Sequence, residues 1–275
     1  MTSRPKKPSV DRTLAAVLKL LSRGKPEERA GAALVLGAIR PSEPAVEKAL
    51  LRAWRIAAPS SAPYVLDALA KLRTPAAARL LAGLLEEEGW KQEQAVRLLG
   101  DYGEAACPAV LAALRKAAPD RRPPYYAVLA RSGAPEAASV VSEALGRAGF
   151  QAAKTVYRAL RAALPDVPKA ARRQWSTALI ARASSSAAVS NPPAAVAAAK
   201  LLRYFRDPRA VGALCALTGP DRPPVVRRSG LQALHATPAS RADRAIVIAA
   251  VEAVLRDPTS GPELRATAER IRRAR

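Results

Sequence analysis

Residues 28–54 read ERAGAALVLGAIRPSEPAVEKALLRAW. Ala32 and Leu36 stand four apart in a run without glycine or proline breaks except Gly31 and Gly37, so the run predicts a helix with one apolar stripe. Arg40-Pro41-Ser42 interrupts it, and a second apolar run follows. Proline suits the first turn of a helix, where its missing N–H loses nothing. The stretch therefore reads as helix, turn, helix. The same unit recurs along the chain when each copy is anchored on a leucine near the end of its first helix. The anchors are Leu36, Leu69, Leu99, Leu129, Leu160, Leu202 and Leu234, at spacings of 33, 30, 30, 31, 42 and 32 residues. The long interval contains ASSSAAVSNPP at 183–193, read as a loop insertion. Turns carrying proline, glycine or aspartate close four of the other first helices: Arg73-Thr74-Pro75, Gly100-Asp101-Tyr102-Gly103, Ser132-Gly133-Ala134-Pro135 and Asp207-Pro208-Arg209.

One hairpin cannot bury the apolar stripes of both its helices, whereas stacked neighbours can. The expected fold is all-α: an α-solenoid of about seven antiparallel helical hairpins over 10–275, after a basic tail at 1–9. Composition agrees. Alanine and leucine favour helix, aromatics make up only 4% of the residues, and the 24 prolines and 14 glycines suit many short helices rather than a few long ones. The segments Val10 to Leu21 and Pro262 to Arg275 read as terminal caps, charged on one side.

Arg206-Asp207-Pro208-Arg209-Ala210-Val211, followed by Leu214, Leu217, Val226-Arg227 and Ala233-Leu234, resembles a HEAT repeat. More narrowly it is similar to the HEAT-like repeats first described in phycobilisome lyases. Glu28-Arg29 with Ala32, Leu36 and Gly37 fits the same pattern, as do Ala95 with Leu98-Leu99-Gly100 and Pro108-Ala109-Val110-Leu111 with Leu114. The resemblance implies a right-handed superhelix whose second helices line a concave face. It also implies binding of proteins and, in some members, of nucleic acid. It implies no chromophore here, since only the repeat is matched.

Residues that could do chemistry are scarce. His235 is the one histidine and follows Leu234 at the end of a helix; no nucleophile or acid is patterned beside it. Cys107 and Cys215 lie in alanine- and leucine-rich helices and read as apolar fillers in a reducing compartment. One histidine and two distant cysteines do not make a four-ligand zinc site. Glu86-Glu87-Glu88 reads as a solvated helix face. The sequence has no Walker loop, dinucleotide fingerprint or G-x-S-x-G elbow. No metal site, no cofactor and no catalytic residue is expected. One enzymatic reading stays open by analogy of fold alone: HEAT-like alkylpurine DNA glycosylases use a basic groove with tryptophans and an aspartate, and this chain has Trp54, Trp90 and Trp175.

The charge is the strongest functional signal. Forty-five Lys and Arg against 23 acids give +22. Arginine outnumbers lysine 34 to 11, so part of the excess reflects a composition rich in alanine, proline and arginine. The halves differ: residues 1–137 carry +8 and residues 138–275 carry +14. Between Arg147 and Arg182 eight basic residues face the single Asp166. Lys154, Arg158 and Arg161, at i, i+4 and i+7, fall within an arc of about 60° on a helix. Lys169, Arg172 and Arg173 form a second group. Arg203 and Arg206, with Lys200, follow one repeat on, and Arg227 and Arg228, with Arg222, one repeat later.

These cations are the candidate contacts to a polyanion, with Tyr157 and Trp175 as candidate stacking residues. Two partners fit: nucleic acid, DNA or RNA, bound with little sequence preference, which cations on the concave second helices favour, or an acidic protein, which a basic first-helix side such as Lys154 to Arg161 favours. No stretch reads as a signal peptide or a membrane span, so a cytoplasmic, membrane-free protein is expected.

Overall fold

The computed structural model describes residues 10–184 and 190–274. The basic tail read at 1–9 and the middle of the insertion read at 183–193 lie outside the described residues. Among those described there are helices and no strands, and the fold is an α-solenoid of antiparallel helical hairpins. The chain forms two compact units, Met1–Lys116 and Ala117–Arg275.

In the first unit the helices are α1 (Val10–Arg23), α2 (Pro26–Ile39), α3 (Pro44–Arg55), α4 (Ala62–Leu72), α5 (Pro75–Gly83), α6 (Trp90–Tyr102) and α7 (Cys107–Leu114). First helices α2, α4 and α6 pack side by side in one row; α1 packs on α3, and α5 on α7, in the other. The second unit holds α8 (Pro123–Ser132), α9 (Pro135–Arg147), α10 (Phe150–Ala163), α11 (Lys169–Ser184), α12 (Pro192–Phe205), α13 (Val211–Ala216), α14 (Pro224–Ala236), α15 (Arg241–Arg256) and α16 (Pro262–Ala274). Here α8, α10, α12, α14 and α16 form the first-helix row, and α9, α11, α13 and α15 the second-helix row. Proline opens many of these helices, at Pro26, Pro44, Pro75, Pro123, Pro135, Pro192, Pro224 and Pro262, where its fixed φ is already helical.

All seven anchor leucines are buried, none more than 2% exposed. Small residues bring the first helices close. A Cβ on Gly37, the residue after the first anchor, would lie 3.1 Å from the Ala68 backbone of α4. The terminal helix α16 buries Leu264, Ala268 and Ile271 as one stripe and exposes Arg265, Arg270, Arg272 and Arg273.

Four residues after the anchor the chain leaves the helix. At that offset Arg40, Arg73, Arg206, Gly103 and Gly133 all have positive φ. A non-glycine residue in this conformation costs about 1–2 kcal/mol, and two of the arginines have an offsetting bond. Arg73 donates to the Asp101 carbonyl (2.8 Å) and Arg206 to the Ala236 carbonyl (3.2 Å). Both acceptors lie two residues past the next anchor, where helical carbonyls have no intrahelical donor. The same arginine thus ends one first helix and caps its neighbour.

The Asp207-Pro208-Arg209 turn has an equivalent role on the second-helix side. Asp207 accepts from the Arg209 backbone N–H at 3.0 Å and pairs with its guanidinium at 2.6 Å. Arg209 then reaches Thr177 Oγ1 (3.2 Å) and the Arg173 carbonyl (3.3 Å) of α11. Hydrogen bonding from the Arg209 side chain is the main reason the Asp207 carboxyl is held down at about 2. Asp257 is also held near 2, first by the Thr259 hydroxyl and backbone and further by Arg227.

The three glutamates at 86–88 are exposed, as expected, but lie at the end of a 3-10 turn and in the loop before α6, not on a helix face. No helix of the described residues is long and apolar enough to cross a membrane.

Both depressed carboxylates make stability depend on pH in one direction. Their contribution is complete above the unfolded carboxylate value of about 4 and is lost as pH falls through about 2. Thermal melting followed by circular dichroism should therefore show a steep loss of Tm between about pH 4 and pH 2. In Asp207→Asn the neutral-pH Tm should fall by roughly 2–4 °C and the acid loss should be shallower. An acid profile identical to the parent's would refute this role for Asp207.

Candidate anion-binding cleft

On α10 the residues Phe150, Lys154, Tyr157, Arg158 and Arg161 form one stripe, opposite the buried Ala153, Val156, Leu160 and Ala163. The next first helix, α12, repeats the arrangement. Superposing anchors Leu160 and Leu202 places Arg158 in register with Lys200 and Arg161 with Arg203. Because α10 packs on α12 and α12 on α14, these positions form rows across adjacent helices whose axes are about 8–10 Å apart. His235, exposed on α14, extends the Arg161–Arg203 row.

Between α10 and α12 lies a cleft of about 420 Å³. Phe150, Ala153, Tyr157, Pro192, Pro193, Val196, Ala197 and Val225 form its apolar wall, and Lys154, Arg158 and Lys200 its polar rim. No carboxylate lines it. Phe150 and Val225 stay 66% and 53% exposed, a large apolar surface to leave in water. The two tyrosines are tied to the cations. The Lys200 ammonium lies 5.8 Å from the Tyr157 ring centre, and the Arg161 guanidinium 5.6 Å from that of Tyr204. Burial, together with a hydrogen bond shared with Tyr204, pushes the Tyr157 phenol above its usual range, and Arg161 pulls it the other way.

Asn191 fixes the cleft wall. Its amide donates to the Gly146 carbonyl (2.9 Å) and the Ala148 carbonyl (3.1 Å) at the end of α9. Its Oδ1 accepts from the Ala194 N–H (3.2 Å) and so caps α12. The expectation of a loop at 183–193 is thereby corrected at its two ends. Ala183 is buried within α11, Asn191 caps α12, and Pro192 and Pro193 open that helix and line the cleft.

The other candidate residues separate. Arg203 is exposed on α12. Arg228 is exposed but paired with Glu263. Arg206 holds the end of α14, as described above. Arg227 is not a surface contact: it is 3% exposed, bonded to Asp257 (2.7 Å), Ser260 Oγ (3.0 Å) and the Thr218 carbonyl (3.2 Å). Its place four and seven residues before Leu231 and Leu234 turns it inward. Trp175 is 2% exposed and is a core residue, unable to stack on a ligand.

Lys169, Arg172 and Arg173 are exposed on α11, in the other row. Of these, Arg173 lines a separate groove between α9 and α11, shared with Glu143. The single acid of the basic stretch, Asp166, is paired with Arg131 at 2.8 Å. On the first-helix row Lys154, Arg158, Arg161, Lys200 and Arg203 are exposed cations with no carboxylate partner among the described residues, as are Lys169 and Arg172 on α11.

Phe150, Tyr204 and Val225 escaped the sequence reading because each lies near a helix end, where periodicity is short. The register linking Arg158 to Lys200 was present in the anchor spacing of 42. Neither cysteine is in a disulfide: Cys107 is buried, while Cys215 is only partly so, and burial and then Asp243 push its thiol up to about 11. No group of three or more His, Cys, Asp or Glu among the described residues could hold a metal ion.

No family model matches the chain, and no curated protein does. Solved structures similar to it include human deoxyhypusine hydroxylase in complex with glycerol, at 17% identity over 96% of this chain and 96% of that one, TM-score 0.37. The complex of CpcE and CpcF of phycocyanin lyase from Nostoc sp. matches at 16% identity over 100% and 98%, TM-score 0.37. An engineered protein matches at 16% over 96% and 89%, TM-score 0.34. With every TM-score below 0.5, these likenesses carry no activity or partner to this chain.

Replacing Asn191 by alanine removes a cap worth about 1 kcal/mol and both bonds to α9. The expected result is a Tm lower by roughly 3 °C, with faster hydrogen exchange at the Ala194 and Ala195 amides. Unchanged exchange there would show that α12 starts without this pin.

Proposed function

We propose that the unit Ala117–Arg275 is a binding module for a polyanion and that its ligand is nucleic acid, held by its phosphates along the first-helix row. The observation that carries this reading is the register of Arg158 with Lys200 and of Arg161 with Arg203, four exposed cations in matched positions, none with a carboxylate partner. Guanidinium forks bridge phosphate oxygens, and a row of them follows a charged backbone without reading its sequence. Contacts of this kind release counterions, so affinity falls with salt in proportion to their number.

On this reading the module is a scaffold, and Lys154, Arg158, Lys200 and Tyr157 in the cleft serve to bind and orient the ligand. An acidic protein is the second reading, favoured by the place of these cations on the first-helix row together with the exposed Phe150 and Val225.

Fluorescence anisotropy with labelled oligonucleotides over a salt series separates these readings. Binding should weaken linearly on a log–log plot. Arg158→Glu with Arg203→Glu should cost tenfold or more and reduce the slope by about 2. Lys169→Glu with Arg172→Glu on α11 should change affinity far less. Absence of binding near physiological salt, with capture of an acidic protein through the same α10 and α12 cations, would replace nucleic acid by the second reading.

A further inference from the structure

Resting on that reading, we infer that the cleft between α10 and α12 receives one unstacked nucleobase, so that the module prefers single strands to duplex. Phosphate contacts alone require only a charged surface, but this one has a cavity in it. The rim carries Lys154, Arg158 and Lys200, while the wall is Phe150, Tyr157, Pro192, Pro193, Val196 and Val225. The group that satisfies both is flat, apolar on its faces and joined to an anion, which is the chemistry of a nucleotide within a chain. The volume, about 420 Å³, lies in the lower part of the range of small-molecule sites.

Phe150 supplies the stacking surface. Its ring is 66% exposed at the start of α10, beside the proline pair that Asn191 holds in place, and aromatic faces accept any base. Lys154 and Arg158, one and two turns along the same stripe, are placed for the phosphates on either side of that base. A duplex keeps its bases paired and stacked inside a stiff cylinder. It can lie against the rim cations but cannot present a base to the wall.

Three probes of equal length test this in the same buffer: a single-stranded oligothymidylate, its abasic counterpart, and a duplex. The oligothymidylate should bind at least tenfold more tightly than the abasic strand, and more tightly than the duplex. Phe150→Ala should weaken oligothymidylate binding by about five- to fiftyfold and leave the abasic strand and the salt slope unchanged. Phe150→Trp should retain binding. Phe150 is largely solvent-exposed, so the unaltered melting curve of each variant serves as the folding control. Equal affinity for the abasic and base-bearing strands, or a duplex bound more tightly, would overturn base insertion and leave phosphate tracking standing. Failure of all three probes to bind would remove both.

Discussion

The structure depends on one repeated constraint: the leucine near the end of each first helix must be buried between its neighbours. Leu129, Leu160, Leu202 and Leu234 meet it in the second unit, and Leu36, Leu69 and Leu99 in the first. Burying these positions sets the register between neighbouring first helices in each unit. Everything at a fixed offset from the leucine is then placed in a row. Four residues later comes the helix end, with its positive φ and its capping arginine. Two residues before and one after, on α10 and α12, come Arg158, Lys200, Arg161 and Arg203. Apolar burial, which has no direction of its own, thereby aligns charges on the opposite face of the same helices.

The formal charge of +22 is a poor guide to where a partner binds. Arginines with very different surroundings contribute equally to it. Arg227 neutralises Asp257 inside the second unit; Arg73 and Arg206 cap helix ends; Arg209 ties a turn to α11; Arg131 and Arg228 have acidic partners. What separates α10 and α12 is the matched register of their exposed cations, together with an apolar cleft between them that no part of the described chain fills.

The repeat was legible in the sequence because its leucines, prolines and helix-ending residues recur at nearly constant intervals, each with a physical cause. The inward turn of Arg227 was legible too, since it shares a face with Leu231 and Leu234, but clustering it with Arg228 by charge hid the helical period. The stretch 183–193 was read as one loop because serine, alanine and proline are common to loops and helix starts alike. Only the bonds of Asn191 to the Gly146 and Ala148 carbonyls, 45 and 43 residues away in sequence, show where the helix begins. Long-range pairings of this kind leave no local pattern. For the same reason the cleft was invisible: Phe150, Pro192 and Val225 come from three helices and meet only through the stacking of α10, α12 and α14.

The most direct measurement of the central claim is photocrosslinking of the full chain to a 4-thiouridine-substituted oligonucleotide, with adducts located by peptide mass spectrometry. Adducts confined to the peptides of α10, α12 and the start of α14 are predicted, Phe150 and Tyr157 foremost. Adducts concentrated instead on α9 and α11, around the groove that holds Arg173, would place the nucleic acid on the other row of helices and contradict the account.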